Sequence, residues 1–171
     1  LIPITNEIEP DSAINSFTKM ISAEINQNDS SYNVKKKSGD GVFPFVSNRD
    51  GNAGIYLKMI GRNAEVPLAR GSDECSNPVM SLAASRVAYT VSDSDGCSRL
   101  ELVDLTGANR RLICDSAGRI DAAFTADGKW IYYSVSRCRE NSADIYRASC
   151  EGGPEYPVVC WPQSSEHSMS F

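Results

Sequence analysis

The 171-residue chain has one histidine, His167, and no C-x-x-C pair among its six cysteines. A zinc site needs several nitrogen or sulfur ligands close together, so this composition argues against one. A Ser-His-Asp or Cys-His centre would have a single available base, in a polar run near the C-terminus, and no G-x-S-x-G accompanies any serine. No catalytic residue, metal or cofactor is therefore expected. Cations are also scarce: 17 Lys and Arg against 22 Asp and Glu leave a net charge of −5. A phosphate-binding surface needs clustered cations, and Lys35-Lys36-Lys37 is the one basic run, read here as solvated, so nucleic acid is not an expected partner. No apolar stretch approaches the roughly 18 residues of a membrane-spanning helix, and none is expected.

What is present is ordinary in amount and unusual in arrangement. Apolar residues make up 41% and charged residues 23%, which fits one globular domain, or one domain with an appendage. Six cysteines are many for this length, and their number is even. Three disulfides in an oxidising compartment, extracellular or periplasmic, is the reading preferred here; six reduced and mostly buried thiols is the alternative. No signal peptide is visible, and a chain beginning at Leu1 is consistent with an upstream segment already removed. Asn28-Asp29-Ser30 fits a glycosylation sequon.

The dominant pattern is a repeat. Phe45 in FPFVS, Tyr89 in VAYTV and Tyr133 in IYYSV are spaced 44 and 44 residues apart. A polar turn follows each, then a second strand: GIYLKMI, RLELVDL and DIYRASC, in which Ile55, Leu100 and Ile145 are spaced 45 and 45 apart. A further strand follows in EVPLAR, NRRLIC and EYPVVC, and another precedes the hairpin in PVMSLA and RIDAAF, with SYNVKK the weak candidate in the first unit. Val87, Tyr89 and Val91 alternate with Ala88, Thr90 and Ser92, as a strand with two distinct faces requires. Pro67 and Pro157 fall in the last strand of their units and mark it as a sheet edge; Pro44 falls in an inner strand, where a local bulge is expected.

Four-stranded units of about 44 residues with proline in the outer strand suggest propeller blades, with a β-trefoil as the rival. Specific residues favour the first. Phe124-Thr125-Ala126-Asp127-Gly128-Lys129-Trp130-Ile131-Tyr132-Tyr133-Ser134 followed by Asp144-Ile145-Tyr146 resembles the TolB-type propeller repeat. Ser38-Gly39-Asp40-Gly41, Phe45-Val46-Ser47 and Ile55-Tyr56 resemble it in the first unit, and Val87-Ala88-Tyr89-Thr90 in the second, which lacks the Asp-Gly turn. The resemblance implies an all-β chain of three four-stranded blades, about 38–77, 78–118 and 119–165, with a terminal strand 166–171 and an N-terminal arm over 1–37.

TolB-type propellers usually have six blades, and three cannot close a ring. The expected outcomes are therefore self-association into a ring or filament, or a protein- or glycan-binding module cut from a longer chain. The trefoil rival would favour a glycan-binding lectin. Met169 and Phe171 in the terminal strand, which resembles RIDAAF, are candidate assembly residues. So are Ile14, Phe17, Ile21 and Ile25, an apolar stripe on a helix expected over about 12–26. That helix would pack on its own blades or dock on a neighbour. In a propeller, the loops bearing Cys75 and Cys97, and those bearing Cys114 and Cys138, share one face of the disc. The resemblance thus implies the pairs Cys75–Cys97 and Cys114–Cys138, leaving Cys150 with Cys160. Asp93-Ser94-Asp95-Gly96 and Asn48-Arg49-Asp50-Gly51-Asn52 resemble pieces of a calcium loop but lack its terminal glutamate, and read as turns.

Overall fold

A computed structural model describes residues 41–60, 65–137 and 143–160. The N-terminal arm, Asn28, Cys138, His167 and the terminal strand with Met169 and Phe171 lie outside the described residues, as does the candidate first strand SYNVKK. Ten strands run through the rest: β1 Val42–Ser47, β2 Gly54–Met59, β3 Glu65–Ala69, β4 Glu74–Ser81, β5 Arg86–Ser92, β6 Ser98–Asp104, β7 Arg111–Phe124, β8 Trp130–Arg137, β9 Ala143–Ser149 and β10 Glu155–Val159. Every pairing is antiparallel between strands adjacent in sequence.

β1–β2–β3 form one sheet, and β4 to β10 form a second, seven-stranded one in sequence order. The second sheet is two blades joined by the 14-residue β7. The first part of β7 pairs with β6 (Glu101 opposite Leu112, Leu100 opposite Cys114), and its last part pairs with β8 (Ile120 opposite Val135 through Phe124 opposite Ile131). The outer strand of one blade therefore continues into the inner strand of the next, where Asp115-Ser116-Ala117-Gly118 reads as a turn. Gly118 sits at this crossing, where a Cβ would lie 3.0 Å from the Ser136 carbonyl oxygen.

Blade order follows from which faces are covered. Val87, Tyr89 and Val91 of β5 pack on Ile55, Leu57 and Met59 of β2, with Val66 and Leu68 of β3. Ile131, Tyr133 and Val135 of β8 pack in the same way on Leu100 and Leu102 of β6, with Ala88. The two clusters occupy opposite faces of the middle blade, as period-2 alternation requires. Tyr89 and Tyr133 are both 0% exposed. Meanders stacked face to face are propeller architecture, and the trefoil reading falls.

Pro67 and Pro157 lie in β3 and β10, each at a sheet edge. The bulge expected at Pro44 is absent: the register runs unbroken from Val42 opposite Met59 to Ser47 opposite Gly54. Among the described residues β1 is itself an edge, so one side of it has no ladder to disrupt. A shift does occur in β4, between Ser76 and Val79, where Asn77 takes a φ of 48° ahead of Pro78. β4 also begins earlier than PVMSLA, at Glu74, because Glu74 and Cys75 pair with Ser92 and Val91.

The Asp127-Gly128 turn closes β7 onto β8 and presses on the β4–β5 turn of the preceding blade. Gly128 has a φ of +68°, and a Cβ there would lie 2.5 Å from the Ala84 amide nitrogen. Gly128→Ala should therefore destabilise the protein by more than about 1 kcal/mol, read by chemical denaturation. Gly71→Ala, with no heavy atom within 4 Å of the added carbon, should be close to neutral.

Candidate binding surfaces

Stacking three blades leaves two outward faces, one at each end. On the first blade, Phe45 and Tyr56 stand opposite each other with ring centroids 5.8 Å apart. The Arg49 guanidinium lies over both rings, 4.6 Å from Tyr56 and 5.3 Å from Phe45. Arg49 also bonds the Glu65 carboxylate, which Lys58 reaches at 3.1 Å. Those two donors, Arg49 first, hold Glu65 below the usual carboxylate range. The Tyr56 hydroxyl donates to Asp50 at 2.8 Å and Arg70 donates to the same oxygen at 2.9 Å, which together lower the Asp50 pKa. Phe43, on the same face, is 44% exposed.

On the third blade, Arg147 stands between Tyr132 and Tyr156 in register. Its guanidinium lies 4.6 Å above the Trp130 ring and 5.7 Å from that of Tyr156, and the two rings meet edge to face at 6.4 Å. Ile145 and Arg147 hold the repeat positions of Leu100 and Leu102, each 1% exposed under the next blade. On the third blade no described residue covers them.

Between the first two blades lies a network that the strand pattern does not reveal. Glu101 faces inward from β6, directly opposite Tyr89, whose hydroxyl donates to it at 2.7 Å. Arg99 donates to Glu101 at 2.8 Å and to Asp73, in the β3–β4 crossover, at 2.8 Å. Burial first, then the bond to Glu101, raises the Tyr89 pKa well above its ordinary value. The Arg99 contact is the main cause of the lowered Asp73 pKa. The network borders a cleft of about 110 Å³. The signal available in the sequence was charge inside RLELVDL: a glutamate on the strand face that carries Val103 has to find a partner.

The cysteines are placed differently from the expected pairing. Cys75 does lie at the same end of the second blade as the Cys97 turn: it stands opposite Val91, and Glu74 stands opposite Ser92, which pairs with Ser98 across that turn. Yet Cys75 carries a thiol that points into the interface between the first and second blades. Cys97 is disulfide-bonded, and its partner is not among the described residues. Cys150 and Cys160 are also thiols. Ala148 stands opposite Glu155 and Ile145 opposite Val159, so Cys150 is at the turn of this hairpin and Cys160 near its far end. Five residues of strand span about 16 Å, beyond the reach of a disulfide. Cys114 is buried, with its Sγ 3.8 Å from the Asp115 carbonyl oxygen.

The Asp93 carboxylate accepts from the Asp95 and Cys97 amides, each at 3.0 Å, so it holds its own turn. Among the described residues no group of three or more His, Cys, Asp or Glu is placed to hold a metal ion.

Two measurements follow from this geometry. Burial raises the thiol pKa of Cys75 and Cys150, whereas Cys160 is exposed. A thiol reagent at neutral pH should modify Cys160 rapidly, and Cys75 and Cys150 only on unfolding, as read by peptide mapping. The depressed pKa of Asp73 contributes stability that is complete above its unfolded value of about 3.9 and is lost as pH falls through the folded value. Arg99→Met removes the main cause of that depression and leaves the Ser72 bond, so stability measured by denaturation should fall less steeply between about pH 5 and 2.

No family model matches the chain, and no curated protein matches its sequence. Solved structures share its fold. A TolB-type protein from Agrobacterium tumefaciens superposes with a TM-score of 0.57 at 17% identity, over 68% of this chain and 44% of that one. A chain of a nidogen/laminin complex superposes with a TM-score of 0.52 at 15% identity, over 69% of this chain and 43% of that one. A chain from a study of prolyl endopeptidases superposes with a TM-score of 0.53 at 14% identity, over 90% of this chain and 28% of that one. The fold is TolB-like and propeller-type, and the chain spans under half the length of these structural neighbours.

Proposed function

We propose that the chain is a non-catalytic, protein-binding part of a TolB-like propeller that works outside the cytoplasm. The observation that carries this reading is the Trp130–Arg147–Tyr156 cluster, over which no other blade lies among the described residues. Tryptophan, tyrosine and arginine are the residue types that dominate binding energy at protein interfaces. Here they share one sheet face, and Arg147 holds the position that the first two blades fill with the buried Leu57 and Leu102. One structural neighbour is itself a chain of a nidogen/laminin complex, which fits a protein-binding role. The disulfide at Cys97 supports an oxidising compartment. A lone histidine and the lack of a nucleophile motif support the non-catalytic reading. A glycan would stack on the same aromatic side chains.

A second reading is self-association, favoured by the matching Arg49–Phe45–Tyr56 cluster on the opposite face. Two different faces at the two ends of a wedge make a head-to-tail contact, which closes into a ring or grows into a filament. The stripe Ile14, Phe17, Ile21 and Ile25 and the terminal Met169 and Phe171 would add to that contact. The two readings separate by the mass of the unreduced particle in light scattering. A mass near 18.6 kDa supports a module for a different partner. A doubled or growing mass that Arg147→Glu returns to monomer supports self-association. A larger particle indifferent to both Arg147→Glu and Arg49→Glu would remove both clusters from the argument.

A further inference from the structure

We infer that the cleft between the first and second blades is a binding site for a carboxylate group, of the size of an aspartate or glutamate side chain. Its volume of about 110 Å³ admits such a group. The β3–β4 crossover, with Arg70, Gly71 and Asp73, forms one wall, and the second blade, with Val91, Arg99 and Arg110, forms the other.

The charges of the cleft are not equally engaged. Asp73 and Glu101 are already served by Arg99, and Glu101 also by the Tyr89 hydroxyl. Arg110 is different. Its side chain is 46% exposed, and its one partner among the described residues is Glu101 at 3.8 Å, beyond hydrogen-bond reach. Its guanidinium therefore makes no hydrogen bond to a described residue, and its side chain borders the cleft. Across the gap, Arg70 is 56% exposed and uses one nitrogen on Asp50. Gly71 adds no side chain to the wall, and the space where a Cβ would point is empty for 4 Å.

Two arginines border the cleft, Arg110 without a hydrogen-bonded partner among the described residues and Arg70 with one nitrogen on Asp50, beside acids that are already paired, so the cleft carries unneutralised positive charge. A planar carboxylate matches the guanidinium fork with two parallel hydrogen bonds, which a spherical anion does not. The floor carries Val91 and the Cys75 thiol, which suit the methylene stem of an acidic side chain. That this side chain comes from a partner protein rests on the proposed function. The carboxylate site itself does not. It lies apart from the Trp130 cluster, and it meets the first-blade cluster through Arg70, which shares Asp50 with the Tyr56 hydroxyl. Loss of the Trp130 cluster would leave it intact.

The test is a titration of the full chain with N-acetylglutamate, followed by NMR at the arginine Nε–H groups and the Val91 methyls. The expected result is a saturable shift at Arg70, Arg110 and Val91. It should weaken about tenfold in Arg110→Ala, the scale of losing one charge-assisted pair. Arg70→Ala, at an exposed side chain, should weaken it similarly. Arg119→Ala, which removes an exposed cation elsewhere, should leave it unchanged. No saturable shift, or an equal shift in Arg110→Ala, would overturn the site. Equal loss in Arg119→Ala would reduce it to general charge attraction. Inorganic sulfate binding as tightly as N-acetylglutamate would overturn the carboxylate assignment.

Discussion

Everything in this fold rests on the burial of one tyrosine-bearing strand face against the blade before it. A four-stranded meander has two faces and cannot stand in water with both exposed. Tyr89 with Val87 and Val91, and Tyr133 with Ile131 and Val135, supply the covering face at the two interfaces. Burying a large apolar side chain contributes roughly 1.5–3 kcal/mol, so each row of three outweighs any surface ion pair at the rim. The rest follows from that stacking. The β3–β4 crossover must bring the chain from the outer edge of one blade to the inside of the next. The β6–β7 turn must reach the third blade, where Arg111 donates to the Ser149 and Cys150 carbonyls at 3.0 and 2.7 Å.

The same stacking explains why polar groups sit where they do. A tyrosine in the covering row buries its ring and must still satisfy its hydroxyl. Tyr89 solves this with Glu101, and Tyr133 with Glu155. The first case brings a nearly buried carboxylate into the interface, and a buried charge is tolerated only when paired. Arg99 supplies the pairing and joins it to Asp73 on the crossover. The charged cleft is thus a by-product of solving a hydrogen-bond problem at the interface. Arg110 is the member of that group left with unused donors.

The repeat was legible because it is written in period-2 alternation, which depends only on local sequence. Residues 45, 89 and 133 mark the same row in successive blades, and the prolines at 67 and 157 mark their edges. What was not legible depends on geometry that spacing does not carry. The continuous β7 was hidden because Asp115-Ser116-Ala117-Gly118 has turn composition, while pairing on both sides keeps it extended. The cysteine pairs were misjudged because sequence separation gives neither the end of a hairpin nor the direction of a side chain. Cys75 lies on the expected end of the disc and points into the core. Glu101 was missed because its partner Tyr89 is fixed by register across a turn, not by neighbourhood in the chain.

The two end faces show how one repeat position changes role. Leu57 and Leu102 are nearly fully buried because a blade follows them. Arg147 occupies the same place and sends its guanidinium over Trp130 and Tyr156. A long cationic side chain can cover aromatic rings while keeping its charge near water. At Leu102 that compromise is unnecessary, because another sheet does the covering. At Arg147 it keeps a face of aromatic rings compatible with water and leaves that face able to exchange the guanidinium for a partner. A face built to be permanently covered would have no need of a removable cover. If the proposed function holds, the arginine favours a surface that meets its partner after folding rather than during it.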